Sequence, residues 1–454
     1  MSYTPSIISK TIRTKLSLPK HQLMKYILPI LCLFALFGLS SCDKLIIDSA
    51  LNDNNLAGAD YWSEEPKILG AGVGFCDIVA GDGKDLDEAL VRSLDGAWLS
   101  DQPCGSDDDG GTRTRATTKR TIDAIWVGEA DYSTLKDGAK AFDGLPIVFS
   151  WPILSEDVDP TDFRFTLNTG EVVTPLYAGM APNVEYNERN CIVVFAEFAN
   201  RLPSTDPKTR FPIRLEIVDD GTPLKLIGPN QRIVSAVGLT WETKTSPYDP
   251  NNGPRLVGAK LNFCGDRAIG EGVGGNRILE TAGALPNDEF TLYGGGDFRL
   301  RMLTTGGFSP DGVRHMRPNE YERYFRIHVR GANGNTVTLD KVGVDYQVLG
   351  GKLKVIGLSD LGKFQTSYDE CYADDADNYI DVILVGDKAA ARNITFLEIP
   401  SIEGGYTPFY NPGGPGTTPY PGVNYTKPGP RDMEPVIIAL DNPMRVNYDG
   451  KRYK

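Results

Sequence analysis

Residues 162–170 read DFRFTLNTG, and residues 297–306 read DFRLRMLTTG. Outward from each, the landmarks keep their order. The first stretch is followed by PNVEYNER (182–189), CIVVFAEF (191–198), VSAVGLT (234–240) and KTSPYD (244–249). The second is followed by RPNEYERY (317–324), FRIHV (325–329), LKVIGLS (353–359) and QTSYD (365–369). Asp162 thus matches Asp297, Glu188 matches Glu322, Gly238 matches Gly357, and Thr245-Ser246 matches Thr366-Ser367. The offset drifts from 135 residues at the first pair to 119 at the third, as loop-length changes produce. This ordered self-similarity predicts one module written twice.

The module is read as strands. Runs such as RFTLNT, CIVVFAEF, IRLEIVDD, RLVGAKLNF, DFRLRML, YFRIHVRG and YIDVILVG are short and rich in β-branched and aromatic residues. Gly, Pro, Asn or Asp separates them, which is the punctuation of successive strands. The apolar run GLPIVFSWPIL (144–154) opens the first copy as a buried strand. The expected fold is mainly β: two tandem immunoglobulin-like β-sandwich modules, at 144–270 and 285–400, preceded by a small mixed α/β region at 61–143. The likeness to an immunoglobulin-like sandwich is one of size and strand number. The Cys…Trp…Cys spacing of true immunoglobulin domains is absent. In the mixed region, Asp85 to Gly96 predicts a helix, with Leu86, Leu90, Leu94 and Trp98 as a packing stripe.

The N-terminus carries an address. Residues 1–41 hold Lys10, Arg13, Lys15, Lys20 and Lys25 and no acid. Tyr26 to Leu39 is almost wholly apolar, yet shorter than the roughly 20 residues of a membrane-spanning helix. A basic flank, a short apolar core and then small residues form a secretory signal peptide. Leu39-Ser40-Ser41-Cys42 resembles the lipobox of bacterial lipoproteins. That resemblance implies removal of residues 1–41, a diacylglycerol on Cys42, and a membrane partner reached through that anchor. It covers the first 42 residues and implies an outer-membrane, surface or periplasmic location. Met24 is an alternative start. Residues 43–60 read as a polar tether.

Charge narrows the partners. Without the five N-terminal cations, 42 Lys and Arg face 60 Asp and Glu, a formal charge of −18. Such a balance disfavours nucleic acid. Cys76, Cys104, Cys264 and Cys371 form an even set in a compartment that permits disulfides, with three possible pairings. Cys76–Cys104 with Cys264–Cys371 is the pairing adopted here as an expectation. Cys191 aligns with Phe325 and reads as a buried apolar position.

Chemical signatures are sparse. His315 lies in a loop beside Glu320 and Glu322, a weak acid–base candidate. His328 lies in FRIHVR, where alternation turns Phe325, Ile327 and Val329 inward and His328 outward to the surface. Gly270, Gly272 and Gly275 satisfy GxGxxG but lie between strand-rich stretches and read as a linker. No cofactor is expected; Ca²⁺ is the one metal considered. Its candidate ligands are Asp374, Asp375 and Asp377, with Asp107, Asp108 and Asp109 resembling half of a calcium loop. The preferred reading of the duplicated acids is that the repeated Glu-Arg chemistry caps a turn and pairs Glu with Arg to specify the fold. Residues 404–430 hold seven Gly and seven Pro in 27 positions and read as an extended linker before a final strand or tail at 431–454.

The composite expectation is a lipid-anchored envelope protein. It acts as a non-catalytic binding or adhesive module for a protein or glycan ligand, through loops at the sandwich ends. The alternatives are an extracellular carboxylate-dependent hydrolase, with or without calcium, or a structural spacer.

Overall fold

The computed structural model describes residues 59–72, 75–80, 141–180, 188–199, 206–246, 255–264, 292–305, 308–309, 316–362, 368, 378–400, 407–408 and 431–446 (backbone alone at 75–80, 141–143, 308–309 and 407–408). The strands, in chain order, are β1 (Ile68–Ala71), β2 (Phe75–Ala80), β3 (Ala141–Phe149), β4 (Phe163–Leu167), β5 (Val172–Val173), β6 (Tyr177–Gly179), β7 (Cys191–Ala196), β8 (Pro212–Ile217), β9 (Lys225–Ile227), β10 (Ile233–Ser235), β11 (Thr240–Glu242) and β12 (Leu256–Phe263). They continue as β13 (Phe298–Thr304), β14 (Phe308–Ser309), β15 (Arg326–Arg330), β16 (Thr336–Leu339), β17 (Tyr346–Val348), β18 (Gly351–Ser359), β19 (Tyr379–Gly386), β20 (Ile394–Ile399), β21 (Thr407–Pro408), β22 (Asp432–Pro435) and β23 (Ile437–Ile438). The chain is mainly β, as its composition predicts.

Four larger sheets stack in layers around two cores. Sheet β11-β8-β4-β5 faces sheet β1-β3-β7-β6, with β2 also on β3. Between them lie Phe163 and Phe165 from β4, Leu215 and Ile217 from β8, Leu145, Ile147 and Phe149 from β3, and Ile192 and Val194 from β7. Sheet β17-β18-β19-β13-β12-β23 faces sheet β16-β15-β20-β22. Between those lie Leu300 and Met302, Val355, Val382 and Leu384 on one side, and Ile327, Val329, Leu339 and Leu397 on the other. The two inner sheets then meet through Trp62, Val148, Cys191, Leu303 and Tyr379. That contact explains why β7, CIVVFA, is buried at every position. Both of its faces are covered, so it needs no polar face.

Each DFR stretch opens a strand, β4 in a four-stranded outer sheet and β13 in a six-stranded inner one. β4 and β13 each line one side of a core, while β7 and β15, which follow the Glu-Arg landmarks, line the opposite side. Beyond that the paths diverge. Thr240 begins the short β11 beside β8, whereas LKVIGLS lies within the nine-residue β18 beside β19.

Three placements differ from the sequence reading. β12 lies in the 144–270 stretch but pairs along its whole length with β13, Lys260 opposite Arg301. Within 61–143, β1 and β2 extend the sheet of β3. Thr407–Pro408, inside the Gly/Pro-rich stretch, pairs with Phe308–Ser309. The final strand docks back: β22 pairs with β20, and β23 runs parallel to β12.

One glycine is dictated by packing. Trp151 is fully buried, its Nε1 donates to Ser63 O at 2.7 Å, and the Arg232 guanidinium lies 4.7 Å from its ring centre. A Cβ at Gly228 would sit 2.4 Å from that ring.

Candidate functional site

Among the described residues, a buried assembly of seven charged side chains lies between the two inner sheets. Strand alternation sends Leu261, Leu300, Met302 and Val382 into one core and leaves Lys260, Arg299, Arg301 and Asp381 on the other face. Register then aligns Lys260, Arg301, Asp381 and Ser359 in one row across four strands. Segments from both ends of the described chain cover that row. Asp60 and Arg445 form an antiparallel bridge, and Lys260, Arg299, Arg301, Asp360, Asp381, Asp60 and Arg445 are each at most 8% exposed.

The bonding is dense. Arg301 grips Asp381 with two bonds, Nε to Oδ1 at 2.8 Å and Nη2 to Oδ2 at 2.6 Å, and reaches Asp360 at 3.3 Å. Lys260 Nζ lies 3.1 Å from Asp60 Oδ1, donates to the carbonyls of Tyr61 (3.1 Å) and Met444 (3.4 Å), and sits 4.7 Å from the Trp62 ring centre. Arg445 Nε donates to Asp60 at 3.1 Å. Burial alone would raise the Asp60 carboxyl, but Lys260, Arg445, Arg301 and Arg299 outweigh it and hold the group well below the usual carboxylate range. Burial pulls the Lys260 ammonium down to about 8, against the attraction of Asp60. These groups are sealed from solvent. Their chemistry is to bind the segments that carry Asp60 and Arg445 to the sheet.

A second constellation lies on the outer face of β15 and β20. Thr338 Oγ1 is 3.2 Å from His328 Nδ1, His328 Nε2 bonds Glu398, and Arg431 Nη2 donates to Glu398 at 3.0 Å. Burial raises the Glu398 carboxyl, and the bonds from Arg431 and His328 more than reverse that. Hydroxyl, imidazole and carboxylate in series is the order of a nucleophile–base relay. A relay also needs donors for a developing oxyanion; Thr338 lies on the edge strand β16, paired with β15 on one side. The sequence reading of His328 as a surface residue is corrected here. It points away from the core with Arg326, yet its partners leave it only 9% exposed.

The predicted site residues are dispersed in role. Glu320 accepts the Arg317 N–H at 2.9 Å, just before the one-turn helix Tyr321–Tyr324. Glu322 pairs with Lys341 Nζ at 2.9 Å and accepts the Val342 N–H at 3.0 Å, bonds that hold its carboxyl below the usual range. Asp297 accepts the Gly386 N–H at 2.8 Å, and Asp162 accepts those of Asp159 (2.8 Å) and Leu224 (3.2 Å). The matched acids Asp162 and Asp297 therefore each hold a neighbouring loop. Cys191 is fully buried. Cys264 follows β12, half-buried. Cys76 falls on β2, where only the backbone is described. Cys42, Cys104, Cys371, His315, Asp107, Asp108, Asp109, Asp374, Asp375 and Asp377 lie outside the described residues, as do the predicted signal peptide, the 85–96 helix and Gly270–Gly275.

Among the described residues no group of three or more His, Cys, Asp or Glu is placed to hold a metal ion, and no helix is long and apolar enough to cross a membrane. No family model, curated protein or solved structure matches the chain.

Proposed function

We propose that the chain is a lipid-anchored protein of a bacterial-type cell envelope. Its body is a non-catalytic binding or adhesive module built as two tandem immunoglobulin-like sandwiches. The observation that carries the anchor is Leu39-Ser40-Ser41-Cys42 placed directly after the apolar core Tyr26–Leu39. Diacylation of one cysteine supplies the two chains that stable membrane binding needs. The two cores, each filled from two facing sheets, support the module count. Binding is favoured over hydrolysis because Glu320, Glu322, Asp162 and Asp297 are spent on turns, ladders and ion pairs. The ligand, a protein or a glycan, is taken by loops at the sheet ends.

Radiolabelled palmitate fed to cells expressing the full chain tests the anchor. Label is expected on the wild type and absent from Cys42→Ala; equal labelling of both overturns it. Protease shaving of intact cells tests exposure. Cleavage beyond residue 60 with a periplasmic control intact supports a surface binder, and protection until the outer envelope is breached sinks that role.

A further inference from the structure

The C-terminal segment 431–446 is built unlike the rest of the body. β22 adds to the edge of one sheet through β20, and β23 adds to the edge of the other through β12. The β12–β23 ladder is parallel, and every other described ladder is antiparallel. The segment thus adds a strand to one edge of each of the two sheets that enclose the second core, covering β12 and β20. Its side chains alternate between the cores: Val436, Ile438 and Leu440 pack into the second, Ile437 and Ala439 into the first. Polar bonds complete the seating. Asp432 Oδ2 accepts the Leu256 N–H at 2.7 Å, Arg431 holds Glu398, and Arg445 holds Asp60. Removed, the segment would leave the edges of β12 and β20 bare, and would take Arg445 from Asp60 and the Met444 carbonyl from Lys260. Open edges are strand-accepting surfaces.

The supply line is long. Residues 409–430, 22 in number, separate β21 from the segment. At roughly 3.3 Å per residue they reach about 70 Å. A body of some 400 residues has a radius of gyration of about 21 Å. The segment therefore has the reach to seat on a neighbouring molecule with every contact it makes on its own. Which arrangement prevails depends on the concentration of copies against the millimolar-scale effective concentration set by a linker of this kind.

We propose that the seam between β12 and β20 is a strand-acceptor site, and that residues 431–446 of a second copy of this chain occupy it when copies are crowded. The inference stands on the segment's contacts and reach and is independent of the anchor.

The test uses two full-length variants, Phe396→Cys and Pro435→Cys. These positions are opposed across β20 and β22, and both are exposed. The variants are mixed, co-refolded and oxidised, and cross-linked dimers are resolved on a non-reducing gel. Pro435→Cys mixed with Val172→Cys, a residue 60% exposed on β5, measures chance collision. The matched pair should exceed the mismatched pair at least tenfold near millimolar chain and fall on hundredfold dilution. Equal yields from both pairs overturn the proposal. The double variant Phe396→Cys/Pro435→Cys should close within one chain when dilute; failure to close refutes the seating itself, and with it the acceptor site.

Discussion

Replacing Asp60 with asparagine removes the acid that Lys260 and Arg445 share. Asp60 is 8% exposed and Lys260 is fully buried, so neither cation gains water in exchange. Breaking a buried pair from one side leaves an uncompensated charge and costs about 3–5 kcal/mol. Removing the cation instead should cost less. Burial has already pulled Lys260 down to about 8, so holding it charged opposes folding. Lys260→Met fills similar volume and leaves Asp60 paired with Arg445 at 3.1 Å; a loss below about 2 kcal/mol is expected. Urea unfolding followed by Trp fluorescence measures both, with Trp62 over Lys260 as a local reporter. The sign with pH is also fixed. Because the folded pKa of Lys260 lies below its unfolded value, the unfolded chain binds more protons between about pH 8 and pH 10.5. Stability from this group therefore rises with pH across that window, and Lys260→Met should remove the rise. If Asp60→Asn costs less than about 1 kcal/mol, or less than Lys260→Met, the network is not what holds the segments around Asp60 and Arg445 to the sheet.

Gly228→Ala places a methyl 2.4 Å from the Trp151 ring and should destabilise by about 1–3 kcal/mol, measured by thermal unfolding; an unchanged midpoint would show that the ring gives way. Glu322→Gln breaks an ion pair whose side chains are 41% and 56% exposed, so the unfolding midpoint should stay at the wild-type value in low and high salt. Burial, helped by Asp220 and Asp159, raises the Asp162 carboxyl to about 6 despite the two N–H groups bonded to it. With its folded pKa above the unfolded value, its contribution to stability is greatest below about pH 4 and is lost as pH climbs through 6. Carbon-13 titration of Asp162 should show a midpoint near 6, and a midpoint below 4 would contradict that burial dominates.

Strand-forming stretches were legible because alternation and β-branched residues mark them. Phe163, Phe165 and Leu167 are buried on β4 while Arg164 is exposed, as period-2 reading requires. What covers a polar face was not legible. Arg299 and Arg301 alternate with Leu300 and Met302 just as a solvent-facing row would, yet the neighbouring inner sheet and the segments carrying Asp60 and Arg445, all from distant sequence, leave them buried. His328 failed for the same reason: its outward direction followed from alternation, while its burial depends on Glu398, 70 residues away. The pairing of β12 with β13 escaped notice because the repeat drew a boundary between them. Of the duplicated acids, Asp162 and Asp297 accept loop N–H groups, and Glu322 pairs with Lys341 where an arginine was expected.

The bridge between Asp60 and Arg445 joins residues 385 apart in sequence, and the Val446 N–H donates to Ala59 O at 2.9 Å. The described body is therefore nearly a closed ring of polypeptide. A few residues linking 446 to 59 would complete the ring, and it could be opened instead at an exposed turn such as Asn333–Gly334, between β15 and β16. Every strand would keep its neighbours while the order of synthesis changed, so the architecture belongs to the circuit rather than to where the chain enters it.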